Sequence, residues 1–182
     1  MEFFDWYVPS ESGIAVPPYV DLLERGEYEA ALPAIQQAIG NDDAFAMSCY
    51  GALLAMGRGC TKDISEAALW FRQAAVRGNV NGQTAMGICL ATGNGAPLDL
   101  GEAAYWLYRG GKGGSLVAVE VLGKLAEDNP WIIGEHFSDR DLAVLVVESR
   151  KLAFAKLGKE YPSGRDISRD KPVVARGSPT YH

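Results

Sequence analysis

Apolar and small residues recur along this chain with a period much longer than a helical turn. Residues 51–78 read GALLAMGRGCTKDISEAALWFRQAAVRG, and residues 87–114 read GICLATGNGAPLDLGEAAYWLYRGGKGG. At an offset of 36 residues, without a gap, Gly51, Leu54, Ala55, Gly57, Gly59, Asp63, Glu66, Ala67, Ala68, Trp70 and Gly78 return as Gly87, Leu90, Ala91, Gly93, Gly95, Asp99, Glu102, Ala103, Ala104, Trp106 and Gly114. A fixed period of about 20–50 residues is the signature of stacked supersecondary units.

Each unit predicts two helices. In the first, helix A is expected over 43–56 and helix B over 64–77, joined by GRGCTKD. In the second, the corresponding spans are 80–92 and 100–112, joined by GNGAPLD, and residues 115–127 predict a third A-type helix. Gly57/Gly59 and Gly93/Gly95 supply positive φ where helix A must stop. Asp63 and Asp99 are expected N-caps of helix B, and Glu66 and Glu102 lie where they would close a D-x-x-E capping box. Each such cap contributes about 1 kcal/mol. Gly51 and Gly87, with the alanine pairs at 67/68 and 103/104, let helices approach closely. Trp70 and Trp106 are then expected to fill the space between them. No single pair can bury its apolar face, so neighbours must stack.

The flanks are less regular. Residues 1–17 form an aromatic arm (Phe3, Phe4, Trp6, Tyr7) expected to cover the first helices, and Pro17-Pro18 suits a helix start. Residues 18–40 look like a degenerate first repeat, YVDLLERG followed by EYEAALPAIQQAIG, in which Pro33 should kink the second helix or delay its regular start. Residues 18–127 are thus expected to form the repeat stack. After Asn129-Pro130 the period fails. Ser138, with Asp141 three residues on, is an expected cap for helices over 128–160 that close the end of the stack. The polar residues 161–182 are expected to be mobile.

The unit resembles the Sel-like repeat (SLR) family, a relative of the tetratricopeptide repeat with a longer turn. The match is carried by Ala46, Tyr50-Gly51, Leu54, Gly57, Gly59, Asp63, Ala67, Trp70-Phe71, Ala74-Ala75 and Gly78, and again by Gly87, Leu90, Gly93, Gly95, Asp99, Ala103, Trp106 and Gly114. Departures are Glu where the family has Lys before the helix-B alanine, and Gly110-Gly111 for Ala-Ala, which should loosen that helix by about 1 kcal/mol per glycine. The resemblance implies an all-α fold, a short right-handed α-solenoid of helix hairpins, capped here by a C-terminal helix. It also implies a face lined by the A helices that holds a protein partner. Carried over from the tetratricopeptide repeat, the partner-facing positions are Phe45, Ser48, Ala52 and Met56, then Asn81, Thr84, Ile88 and Thr92, then Val117, Glu120 and Lys124. An alternative for Phe45, Met56 and Ile88 is packing beneath the N-terminal arm.

Charge and chemistry narrow the function. The 182-residue chain has a net charge of −6, which argues against nucleic acid, whose recognition needs Lys and Arg to replace counterions. An acidic body suits a basic partner, or solubility alone. The acidic N-terminus is wrong for a secretory signal, and no apolar run is long enough for a membrane span, so a cytoplasmic protein is expected. Cys49, Cys60 and Cys89 are odd in number and lack a CxxC spacing, so they read as reduced thiols. No metal or cofactor is expected, and there is no catalytic constellation around His136 or Ser138, the residues an enzymatic alternative would use. The expected role is a non-enzymatic protein-binding protein. The sharper expectation, by analogy with SLR members, is a bacterial immunity protein that neutralises a cognate toxin, one delivered by a type VI system and of nuclease type. A regulatory or assembly adaptor is the alternative. The oligomeric state cannot be read from the sequence.

Overall fold

A computed structural model describes residues 17–129 together with Ile132, Ser138, Asp141 and Val144. Among the described residues the fold is all-helical: α1 (Pro18–Glu24), α2 (Tyr28–Gly40), α3 (Ala44–Met56), α4 (Ile64–Val76), α5 (Val80–Thr92), α6 (Leu100–Lys112) and α7 (Leu116–Asp128). The helices follow the predicted spans within a residue or two. α3, α5 and α7 are the A helices, and α2, α4 and α6 the B helices. α2 starts at Tyr28 and runs through Pro33. The one carbonyl left without an intrahelical N–H by that proline is that of exposed Glu29, which water can reach.

Local chemistry sets these helix ends. The A helices start at Asp43, Asn79 and Ser115, each accepting an N–H from the residue three positions on (Ala46 at 3.2 Å, Gly82 at 2.8 Å, Ala118 at 3.2 Å). The side chains of Asp63 and Asp99 do the same for α4 and α6, each at 2.8 Å. α3 and α5 end on Gly57 and Gly93 in the left-handed region, φ 68° and 69°, where glycine carries no Cβ penalty.

The expected capping box is only half made. The N–H of Asp63 donates to Leu54 O (3.0 Å) and that of Asp99 to Leu90 O (3.1 Å). The long turn therefore hydrogen-bonds back to the end of its own A helix and leaves no N–H for the glutamate. Glu66 and Glu102 instead accept from the indole Nε1 of Trp70 (3.3 Å) and Trp106 (3.1 Å), one helical turn further on. Glu102 also accepts from Arg72 Nη1 and Nη2, tying α6 to α4 (2.8 and 3.2 Å).

The wedge between helices is the residue after each tryptophan. Phe71 and Leu107 lie against Gly51 and Gly87, where a Cβ would come within 2.8 Å and 2.6 Å of their side chains. Trp70 is only half-buried, edge-on to Tyr50 with ring centroids 5.4 Å apart. Trp106 is 6% exposed. The aromatic ring thus carries a polar tether on its outer edge while the aliphatic or phenyl neighbour fills the gap.

The Gly110-Gly111 pair does not interrupt α6. Both residues are buried in an unbroken helix. A Cβ on Gly110 would sit 2.8 Å from Thr84 Oγ1 and 3.2 Å from Ala118 Cβ. One interface earlier the same small–small contact is made the other way round. There Gly82 on α5 faces Ala74 on α4, with a Cβ on Gly82 only 2.6 Å from Ala74 Cβ. The glycine has changed sides of the contact, so the propensity cost in α6 is offset by close helix approach.

Successive helices pack pairwise, and α5 also packs against both α3 and α7, whereas between α4 and α6 the backbones stay further apart and the long Arg72–Glu102 pair makes the link. The stack therefore curves toward the A helices. α3 is apolar nearly all round because α2, α4 and α5 all contact it. At the far end Ile132 is buried, and its N–H donates to Asn129 O at 3.1 Å. Ser138 and Asp141 make the reciprocal cap expected of them: Ser138 Oγ donates to Asp141 Oδ2 (2.6 Å), and the Asp141 N–H donates to Ser138 Oγ (3.2 Å). The aromatic arm, the rest of the expected 128–160 cap, including His136, and the 161–182 tail lie outside the described residues.

Candidate functional site

The A-helix side carries a pocket of about 360 Å³. Ala52, Ala55 and Met56 of α3 form one wall, and Thr84, Ala85, Ile88, Cys89 and Thr92 of α5 the other. Phe71 and Ile64 of α4 and Val117 of α7 also line it, and Lys62 and Asn94 enter from the two long turns. The sequence places it there for a simple reason. Helix-A positions facing α4 and α6 are small or apolar for packing, and the next positions round each helix are left toward the inside of the curve. The threonines add little polarity to the pocket. Thr84 Oγ1 donates to Val80 O (2.9 Å), and Thr92 Oγ1 to Ile88 O (2.8 Å), so both hydroxyls are taken up by the helix backbone.

Six of the eleven expected partner-facing residues meet at this pocket: Ala52, Met56, Thr84, Ile88, Thr92 and Val117. Glu120 and Lys124 are exposed on α7 away from it. Phe45 is half-buried at the start of α3 and stacks on Tyr19 of α1, with centroids 6.1 Å apart. Ser48 and Asn81 depart from the expectation. Both are buried outside the pocket lining, and Ser48 Oγ donates to Phe45 O at 2.7 Å; Ala52 and Thr84 are equally buried but lie within the lining. The transferred positions assume a helix with one open flank, whereas α3 packs against three other helices and α5 against four.

Lys62, Ile64 and Asn94 are pocket residues that the helix-based transfer omits. A signal for Lys62 was nevertheless present: its counterpart in the other copy is Leu98, so this turn position varies where the caps around it do not. The three cysteines do not offer a nucleophile. Burial pushes the Cys49 thiol well up, aided by the nearby Asp43 carboxylate, and burial raises Cys89 as well. Cys60 is raised by desolvation and then by Glu66. A raised thiol stays neutral at pH 7 and is correspondingly unreactive. Among the described residues no group of three His, Cys, Asp or Glu side chains is placed to hold a metal ion, and no helix is long and apolar enough to cross a membrane. What this geometry can do is hold an apolar group in a preformed cleft.

Comparison with known proteins places the same boundaries on the repeat. Residues 44–79 and 80–115 match the family model described as Sel1 repeat, in phase with the caps at Asp43, Asn79 and Ser115. Among solved structures the chain is similar to one titled "Crystal structure of Sel1 repeat protein from Oxalobacter formigenes", with a TM-score of 0.65 at 21% sequence identity. That likeness covers 77% of this chain and 56% of the other, and it is a likeness of fold. No curated protein matches the chain in sequence.

Proposed function

We propose that this chain, with two Sel1 repeats at its centre, is a non-enzymatic protein-binding module that receives a partner segment on its A-helix face. Sel1 repeats typically mediate protein–protein binding. The observation that carries the reading here is the pocket itself. Its walls include positions at which the copies differ, Ala52 against Ile88 and Met56 against Thr92, while most of the positions they share, Ala55 in the pocket wall apart, make caps and helix contacts. Residues freed from the scaffold's needs converge on one cleft. The more specific role is that of an immunity protein that binds and neutralises a cognate toxin, of type VI delivery and nuclease type. The net charge of −6 supports it, because a basic toxin would be steered toward an acidic surface.

The binding reading is tested by capture from the native host with the wild type, with Met56→Glu, with the milder Thr92→Arg at an exposed pocket position, and with Leu69→Glu. Leu69 is 62% exposed on α4, away from the pocket. The captured protein should be lost with the first two variants and kept with the third. The reverse pattern would sink the A-helix assignment. The immunity role is tested by co-expressing the chain with the product of the neighbouring gene. Rescue of growth from a toxic neighbour supports it, and a neighbour that is an assembly component with no toxicity favours the adaptor.

A further inference from the structure

We infer that the pocket takes a large apolar side chain from the partner, and that Lys62, which lines it, pairs with an aspartate or glutamate next to that side chain in the partner's sequence. This rests on the reading of the A-helix face as a protein-binding surface. The pocket, at about 360 Å³, is near the low end of the roughly 300–1,000 Å³ typical of sites that enclose a whole small molecule. It has room for a large apolar side chain and part of a neighbouring one, and less than a whole helix face needs. Its walls are alanines, Met56, Ile88, Phe71 and Val117, and Lys62 is the sole charged residue among those lining it.

That ammonium has no fold-level task. The ion pairs among the described residues are Arg25–Asp21, Arg72–Glu102 and Arg77–Asp42, and none uses Lys62. The adjacent Asp63 carboxylate is engaged by the Glu66 N–H at 2.8 Å. The equivalent turn in the second copy keeps its left-handed Gly93 and its Asp99 cap with Leu98 in the lysine's place. Turn geometry therefore tolerates an uncharged residue there. An unpaired cation beside an apolar pocket favours, at that one point, a segment that is apolar and anionic side by side, even within a partner that is basic overall.

The test uses the full chain and four capped hexapeptides. These are acetyl-Gly-Gly-Leu-Glu-Gly-Gly-amide and versions with Leu-Lys, Leu-Gln or Ala-Glu at the centre. Binding is read from methyl NMR shifts of Ala52, Ala85 and Ile88 during titration. The Leu-Glu peptide should bind tightest, by about two- to fivefold over Leu-Gln, the range expected of an exposed ion pair. Ala-Glu should lose most of the affinity. Lys62→Glu should reverse the order of Leu-Glu and Leu-Lys, and Lys62→Ala should level it. Equal binding of Leu-Glu and Leu-Lys, an order unchanged in Lys62→Glu, or no shift at these methyls would each overturn the inference. If only this inference fails, the native partner will still be lost with Met56→Glu but kept with Lys62→Glu. If the parent reading fails, Met56→Glu will leave capture intact.

Discussion

Gly82→Ala should destabilise the protein even though alanine is the better helix former. The residue lies in the first turn of α5 with ordinary helical φ, so propensity alone predicts a gain of about 0.8–1.0 kcal/mol. Against that, the new Cβ would lie 2.6 Å from Ala74 Cβ, 2.8 Å from Ala75 N and 3.0 Å from Ala74 C. Two of those three atoms are backbone, so α4 and α5 must separate. Overpacking of this kind costs about 1–3 kcal/mol, and with two backbone atoms in the way the cost falls in the upper part of that range, about 2–3 kcal/mol, leaving a net loss of roughly 1–2 kcal/mol once the propensity gain is subtracted. Ala74→Gly alone loses helix propensity and about one buried methyl, together roughly 1.5–2 kcal/mol. The double variant Ala74→Gly/Gly82→Ala recreates the arrangement at the next interface, where Gly110 on the B helix faces Ala118 on the A helix. It should therefore be more stable than the sum of the singles by about 1 kcal/mol, within the range seen for touching residues. Urea denaturation followed by circular dichroism gives the four corners of the cycle. Gly123→Ala is the control: that α7 glycine has nothing within 4 Å of a built Cβ and should gain stability. An additive cycle, or a Gly82→Ala protein as stable as Gly123→Ala, would refute the reasoning.

Three further outcomes follow from the same contacts. Glu102→Ala strands the indole N–H of largely buried Trp106 and should cost about 1–3 kcal/mol, whereas Glu102→Gln keeps an acceptor and should cost under about 1 kcal/mol; equal losses in urea denaturation would show that the indole bond is idle. Thiol labelling at pH 8 should proceed in the order Cys60, Cys89, Cys49, following their burial. All three should be slower than a free cysteine, because a raised pKa leaves less thiolate, and should accelerate as pH rises; a Cys49 that labels as fast as Cys60 in the folded protein would contradict its burial. Ala52→Ile places in α3 the residue that α5 carries at the same register, and should fill the pocket; capture of the partner should fall sharply while thermal stability changes little, and unchanged capture would remove the pocket from the interface.

The repeat was legible because the residues that recur are those whose roles are local. A glycine in the left-handed region, an aspartate accepting from the third N–H, and a small residue beneath a neighbouring helix leave the same mark wherever they occur. The helix spans followed from them. What the sequence hid was which of several polar partners a group chooses. Glu66 and Glu102 sit at capping-box spacing, but the N–H they would have accepted is already bonded to Leu54 or Leu90. Nothing in the one-dimensional pattern reveals that the turn folds back on its own helix. The burial of Ser48 and Asn81 was hidden for a related reason. Exposure of an A-helix flank depends on how many other helices pack against it, three for α3 and four for α5, and that number is not written in the helix's own sequence.

The same logic bears on where function can evolve in such a stack. Close approach requires one member of each facing pair to be minimal, but it does not specify which. Ala74 with Gly82, and Gly110 with Ala118, satisfy one constraint in two ways. The copies are thus free to diverge wherever a change on one helix is answered on the next. Divergence without an answer is a different matter. Lys62 against Leu98 and Ala52 against Ile88 are not among those glycine-matched pairs, and all but Leu98 line the pocket. A difference between copies that packing does not balance must either be neutral or be held by something outside the chain. Several of these differences converge on a single preformed cleft, which is hard to reconcile with neutrality and is what a bound partner would maintain.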